Sequence, residues 1–128
     1  MNVLKKILVS LAMVSALGAV SHSAIAESDP GRIALKPDVA VDNVVAKIRV
    51  ALEAVTSGAE GEKAADLIKD AADSSKEINA NDRVDRARAK ANGLLKSARA
   101  HAKENALQEA EQELREAVKS FEALKSLF

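Results

Sequence analysis

Along the C-terminal two thirds of this chain, apolar residues return every three or four positions, the spacing of one face of an α-helix. They do so in four runs. The first carries Val41, Val44, Val45, Ile48, Leu52 and Val55; the second Ala64, Ile68, Ala71, Ser75 and Ile78, with Leu67 beside them. The third carries Val84, Ala87, Ala91, Leu94, Leu95 and Ala98; the fourth Leu107, Ala110, Leu114, Ala117, Phe121, Leu124 and Phe128. Pro37 suits the first turn of the first helix, where a missing N–H costs nothing, and Asp38 suits the same positive end.

The phase breaks between runs locate the turns. Val55 and Ala64 are nine residues apart, about 900° of rotation, which places them on opposite faces of a continuous helix. Ala98 and Leu107 repeat the reversal. The chain must fold back at 56–63 and 101–106 to keep both stripes buried. In the second turn, Asn105 and Gln108 have capping-box spacing. Between the hairpins, "NAND" (Asn79 to Asp82) supplies turn and cap residues, and Asp82 is the expected N-cap of the third helix.

The two breaks suggest a duplicated hairpin. At an offset of 43, Leu52 falls on Leu95, Val55 on Ala98 and Ala59 on Ala102. At an offset of 46, Ala64 falls on Ala110, Ile68 on Leu114, Ala71 on Ala117 and Ile78 on Leu124. A three-residue length difference near the turn reconciles the two. Two hairpins with short connections predict an all-α, up-down-up-down four-helix bundle over residues 37–128. Many inward positions are alanine, so the core is expected to be thin and the stability modest.

The first 26 residues have a different pattern. Lys5 and Lys6 precede the apolar run Ile7 to Val20, and "AIA" (Ala24 to Ala26) offers a small-x-small cleavage site. This is expected to be a secretory signal peptide, cut before Glu27, and not a stable membrane anchor. Residues 27–36, with Pro30 and Gly31, read as a flexible leader. A periplasmic or secreted location follows.

Without Lys5 and Lys6 the remainder carries 17 basic and 19 acidic residues, which gives no reason to expect nucleic acid as a partner. Residues 27–128 contain no Cys, Met, Trp or Tyr, and His101 is their one histidine. Disulfides, thiolate or thioether copper sites and C-x-x-C-H haem attachment are thereby excluded. A nucleophile–histidine–carboxylate triad would have to use His101 without a Gly-x-Ser-x-Gly turn, so no enzymatic activity is expected. Charge is also uneven. Residues 60–78 carry a net −3, residues 83–103 a net +6 and residues 104–128 a net −3. A basic helix between two acidic neighbours favours antiparallel packing of helices two, three and four, and this internal compensation is preferred over lipid binding by Arg83, Arg86, Arg88, Lys90, Arg99 and Lys103.

Three features bear on ligands. Asp66, Asp70 and Asp73 lie at i, i+4 and i+7, as do Glu109, Glu113 and Glu116. Both rows read first as solvated faces, and otherwise as weak sites for hard cations or Cu(II). Phe121 and Phe128 read as core or capping residues. In an up-down-up-down bundle the first and last turns share one end, which brings Glu60 and Glu62 toward His101 and Glu104. One imidazole with several carboxylates could hold a divalent Cu, Ni or Zn ion weakly.

With the turn and the repeat in view, the chain resembles the periplasmic small metal-binding protein family. The matching residues are Glu53-Ala54-Val55, Gly58 and Glu60-Gly61 in the first turn, and "EAVKSFEAL" (Glu116 to Leu124) in the closing helix. The resemblance implies an exported four-helix bundle of hairpin repeats that binds metal through histidines. Where the family has a histidine before the turn glycine this chain has Ser57, and Glu62 and Lys63 follow the turn. His101 stands one position out of register in the second hairpin. The resemblance therefore implies the fold with most of the ligand set gone: a scaffold or binding protein with at most weak cation binding. The alternatives are a helical adaptor or envelope-stress factor docking a protein partner, and a self-associating coiled coil built on the heptads of helix four. The oligomeric state expected is a monomer or a weak oligomer.

Overall fold

The computed structural model describes residues Leu35–Phe128, which form one compact unit. The proposed signal peptide and all but Leu35 and Lys36 of the leader lie outside the described residues. Helix α1 spans Pro37–Thr56, with Pro37 and Asp38 in its first turn. Helix α2 spans Gly61–Ser74 and tightens into a 3-10 turn at Ser75–Glu77. Helix α3 spans Asp82–Lys103, and α4 spans Leu107–Ala123 with a 3-10 turn at Leu124–Leu127. Each helix packs on its two neighbours around a square, α1 on α2 and α4, α3 on α2 and α4. Among the described residues this is the four-helix bundle that the phase breaks predict.

Both hairpin turns close in the same way. After α1, Gly58 takes φ 81° and the amides of Gly58 and Ala59 donate to Val55 O and Ala54 O. After α3, Asn105 takes φ 61° and the amides of Asn105 and Ala106 donate to Ala102 O and His101 O. These are Schellman closures, which satisfy carbonyls that a helix end would otherwise leave open. The expected capping box at Asn105 and Gln108 is not formed. Asn105 terminates α3, and α4 starts after Ala106 without a side-chain cap. The cap of α3 also differs by one residue: the Asn81 side chain, not Asp82, accepts from the Val84 amide at 3.0 Å. Asn81 is the residue left in an extended conformation, and its amide also reaches Leu127 O at 3.1 Å, tying the cap to the end of the chain.

The buried positions of the two hairpins correspond, but in the first half they are shifted by a helical turn from the expected offset. Val44, Ile48, Ala51 and Val55 occupy the buried places of Ala91, Leu95, Ala98 and Ala102, an offset of 47 and not 43. Ala64, Ile68, Ala71 and Ile78 match Ala110, Leu114, Ala117 and Leu124 at the expected 46. The two halves thus differ by one residue at the turn. A stripe with steps of three and four looks nearly the same after a shift of four, which is why the pattern alone chose the wrong turn.

Ten of the 23 buried apolar residues are alanine, so a few large side chains dominate the hydrophobic contribution. Phe121 is fully buried, whereas Phe128 is 46% exposed and lies outside the core. The charge pattern also resolves differently from expectation. Three bridges tie α1 to the rest of the bundle: Lys47–Asp70 (3.3 Å), Arg49–Glu122 (3.2 Å) and Lys125–Asp42. Helix α3 contributes His101–Glu113 and the internal Arg88–Asp85 pair. Among the described residues none of its other cations forms a salt bridge with α2 or α4: Arg83, Arg86, Lys90, Lys96 and Lys103 are exposed, and the half-buried Arg99 reaches Asp73 of α2 through its charge alone. Arg88 instead donates to Ile78 O at 2.7 Å, placing a cation at the end of the chain leaving α2.

Candidate metal site at His101

The bundle sets the two hairpin turns side by side. Gly61, the first residue of α2, approaches the end of α3 so closely that a Cβ on it would collide with the carbonyl oxygen of Ala102. Only a residue with no side chain permits this approach. The Asn105 Oδ1 atom lies close to the same position.

His101 belongs to the last turns of α3 and not to the turn itself. Ser97 and His101 are four residues apart, so they share one face of the helix. That face meets α4 at Glu113. The Ser97 hydroxyl donates to Glu113 Oε1 at 2.8 Å, and His101 Nδ1 lies 3.0 Å from Glu113 Oε2. A carboxylate has only acceptors, so Nδ1 carries the hydrogen and Nε2 is the remaining lone pair of the neutral ring. The His101 and Glu113 side chains are 34% and 22% exposed. This is a clamp in which one carboxylate holds two side chains of the neighbouring helix. Ser97 and His101 each bond to Glu113, and no bond joins them to each other, so the three do not form a hydroxyl–imidazole–carboxylate relay.

The hydrogen bond to Glu113 raises the His101 pKa above 6.5; burial of the ring opposes it as the next-largest effect, and the charges of Glu113, Glu104 and Glu109 each add a smaller upward push. A raised value means that the protonated ring is favoured in the fold. Its contribution to stability is present in full below the unfolded-state pKa near 6.5 and is lost as pH rises through the higher folded-state pKa. Replacing Glu113 by Gln removes the largest cause, and the His101 titration midpoint should move down toward 6.5. A proton NMR titration of the ring, the single histidine from residue 27 onward, checks this directly. A midpoint unchanged in Glu113→Gln would disprove the pairing.

The four residues expected at the site are only partly assembled. His101 and Glu104 lie at one end of the bundle, with Glu104 contributing to the field at the imidazole. Glu60, Glu62 and Glu104 are exposed and make no side-chain bond among the described residues. No group of three or more His, Asp or Glu side chains there is placed to hold a metal ion. Ser57, at the position where the resembled family has histidine, donates to Glu53 O (2.8 Å) and Ala54 O (3.2 Å) and so finishes α1. In the aspartate row, Asp70 pairs with Lys47 and Asp73 with Lys69 at 2.9 Å, and all three aspartates are exposed. The residue that pattern reading left on a solvated face is Glu113. Residue spacing carries no signal for it, because the pairing depends on the register of α3 against α4: His101 and Glu113 stand five and seven residues from Ala106. Comparison with protein-family models, with curated proteins and with solved structures finds no match to this chain.

Proposed function

We propose that this chain is a small exported helical-bundle scaffold, related to metal-binding bundles, that takes up a divalent cation weakly at the turn end and catalyses no reaction. The observation that carries the reading is the bond between Glu113 and His101 Nδ1. A carboxylate on one ring nitrogen is the usual support of a metal-binding histidine, because it fixes the tautomer, orients the ring and makes the other nitrogen more basic. Nε2 is then the ligand atom, and Glu104 the nearest candidate for a second. Two ligands hold an ion loosely, and Cu(II) should bind more tightly than Ni(II) or Zn(II).

Titrating the chain from Glu27 onward with Cu(II), Ni(II) and Zn(II), beside His101→Ala, tests the proposal. Binding of Cu(II) tighter than about 1 mM is expected, at least about tenfold weaker in the variant. It should fade as pH falls through the raised His101 pKa, because proton and metal compete for Nε2. If no ion binds tighter than millimolar, the metal reading ends. The competing reading, a helical adaptor for a protein partner, is then preferred, and the exposed cations of α3 that form no salt bridge among the described residues are the feature that supports it.

A further inference from the structure

The coiled-coil alternative rested on the stripe of the last helix, but Ala110, Leu114, Ala117, Phe121 and Leu124 are buried inside the bundle. An outward apolar stripe exists elsewhere, on α1. Val39, Asn43, Ala46 and Val50 are all exposed and lie on the side of the helix away from Val41, Val44, Ile48 and Ala51. Their steps of four, three and four are those of a coiled-coil seam. Val39 is 40% and Val50 52% exposed, and Leu35 at the entry to the helix is also exposed. A helix with apolar residues on two opposite faces has a second surface to cover.

The ends of the stripe say what covers it. Lys36, at the N-cap, and Glu53, one turn from the C-terminus, continue the same spacing and are exposed. A parallel pairing of two α1 helices would set Lys36 on Lys36 and Glu53 on Glu53. An antiparallel pairing sets Lys36 on Glu53, Val39 on Val50 and Asn43 on Ala46, each layer formed twice by one two-fold axis. Asp42 and Arg49, on one flank of the stripe, already pair with Lys125 and Glu122 of their own chain, so the charge complementarity across the axis is that of Lys36 with Glu53. We infer that the outer face of α1 is a self-complementary docking surface on which a second copy of this chain packs antiparallel, α1 against α1. Such an interface is isologous and closes at two subunits. Its apolar stretch from Val39 to Val50 is only about 16 Å long, so the association is weak and depends on concentration.

The chain has no cysteine, which permits a clean test on the protein from Glu27 onward. Sedimentation should show a monomer–dimer equilibrium, and Val50→Asp should weaken it at least about tenfold while leaving the helical circular dichroism and melting temperature unchanged. Val39→Cys mixed with Val50→Cys should yield a disulfide-linked heterodimer under mild oxidation, and neither variant alone should cross-link efficiently. Lys36→Glu and Glu53→Lys should each weaken the dimer, and their combination should restore it. Efficient cross-linking of each cysteine variant with itself would overturn the antiparallel assignment. A strict monomer at all concentrations, or a dimer indifferent to Val50→Asp, would overturn the surface itself. A dimer that appears only after residues 27–34 are removed would assign the face to the chain's own leader and also overturn the proposal.

Discussion

Gly61→Ala is expected to destabilise the bundle by at least about 3 kcal/mol, above the usual range for an added methyl in a packed core. At an ordinary helical position the same change would stabilise by about 1 kcal/mol, because alanine loses less backbone entropy on folding. The sign reverses because the new methyl would meet the backbone carbonyl of Ala102, which no rotamer change can move. Relief requires α2 to lift away from the end of α3, which opens the contact between the two hairpins. Gly93 provides the control. It lies within α3, and a Cβ built there meets nothing within 4 Å. Gly93→Ala should therefore gain about 1 kcal/mol. Chemical denaturation of the two variants measures both effects, and equal signs would contradict the described packing of the turns.

Phe121→Ala should have an effect of similar or greater size, about 3–5 kcal/mol. Phe121 is the largest fully buried side chain, and much of the remaining core is alanine, which cannot expand to fill the space left. Because a domain of this length has only about 5–15 kcal/mol of net stability, the melting temperature should fall by at least about 15 °C. Phe128→Ala, at the exposed end of the same stripe, should remain within about 0.5 kcal/mol of the parent. The sequence pattern places the two phenylalanines on one face. Only the end of α4, tightening into a 3-10 turn at Leu124–Leu127, separates a core residue from a surface one.

Pattern carried the architecture because burial acts on whole stripes. The phase reversals at Val55–Ala64 and Ala98–Leu107 required two fold-backs, and the turns stand within the expected segments at Ser57–Glu60 and Glu104–Ala106. Details set by single hydrogen bonds were less legible. Asn81 and Asp82 are both good caps, and the one that leaves the helix, Asn81, is also the one tied to Leu127 O. Asn105 looked like the start of α4, yet asparagine tolerates positive φ better than most residues, and here it ends α3 as Gly58 ends α1. The four-residue error in the repeat came from the near-equivalence of successive turns on one stripe. The alternation of charge along the chain matches the neighbours of α3 but not its contacts, since ion pairs depend on which arc of the helix faces inward.

The candidate site was legible to a smaller degree. His101 stood out by being alone, and the shared end of the two turns follows from topology. Its bond to Glu113 was hidden because that depends on the register of α3 against α4, which no periodicity supplies. The close approach of Gly61 to Ala102 was hidden for the same reason.

The functional reading rests on which nitrogen of His101 faces outward, and long-range nitrogen–proton NMR of the ring reads this directly. In neutral protein the account predicts the Nδ1–H tautomer, with Zn(II) displacing the Nε2 resonance and leaving the bond to Glu113 in place. An Nε2–H tautomer, or a ring whose nitrogen shifts ignore added metal, would contradict it.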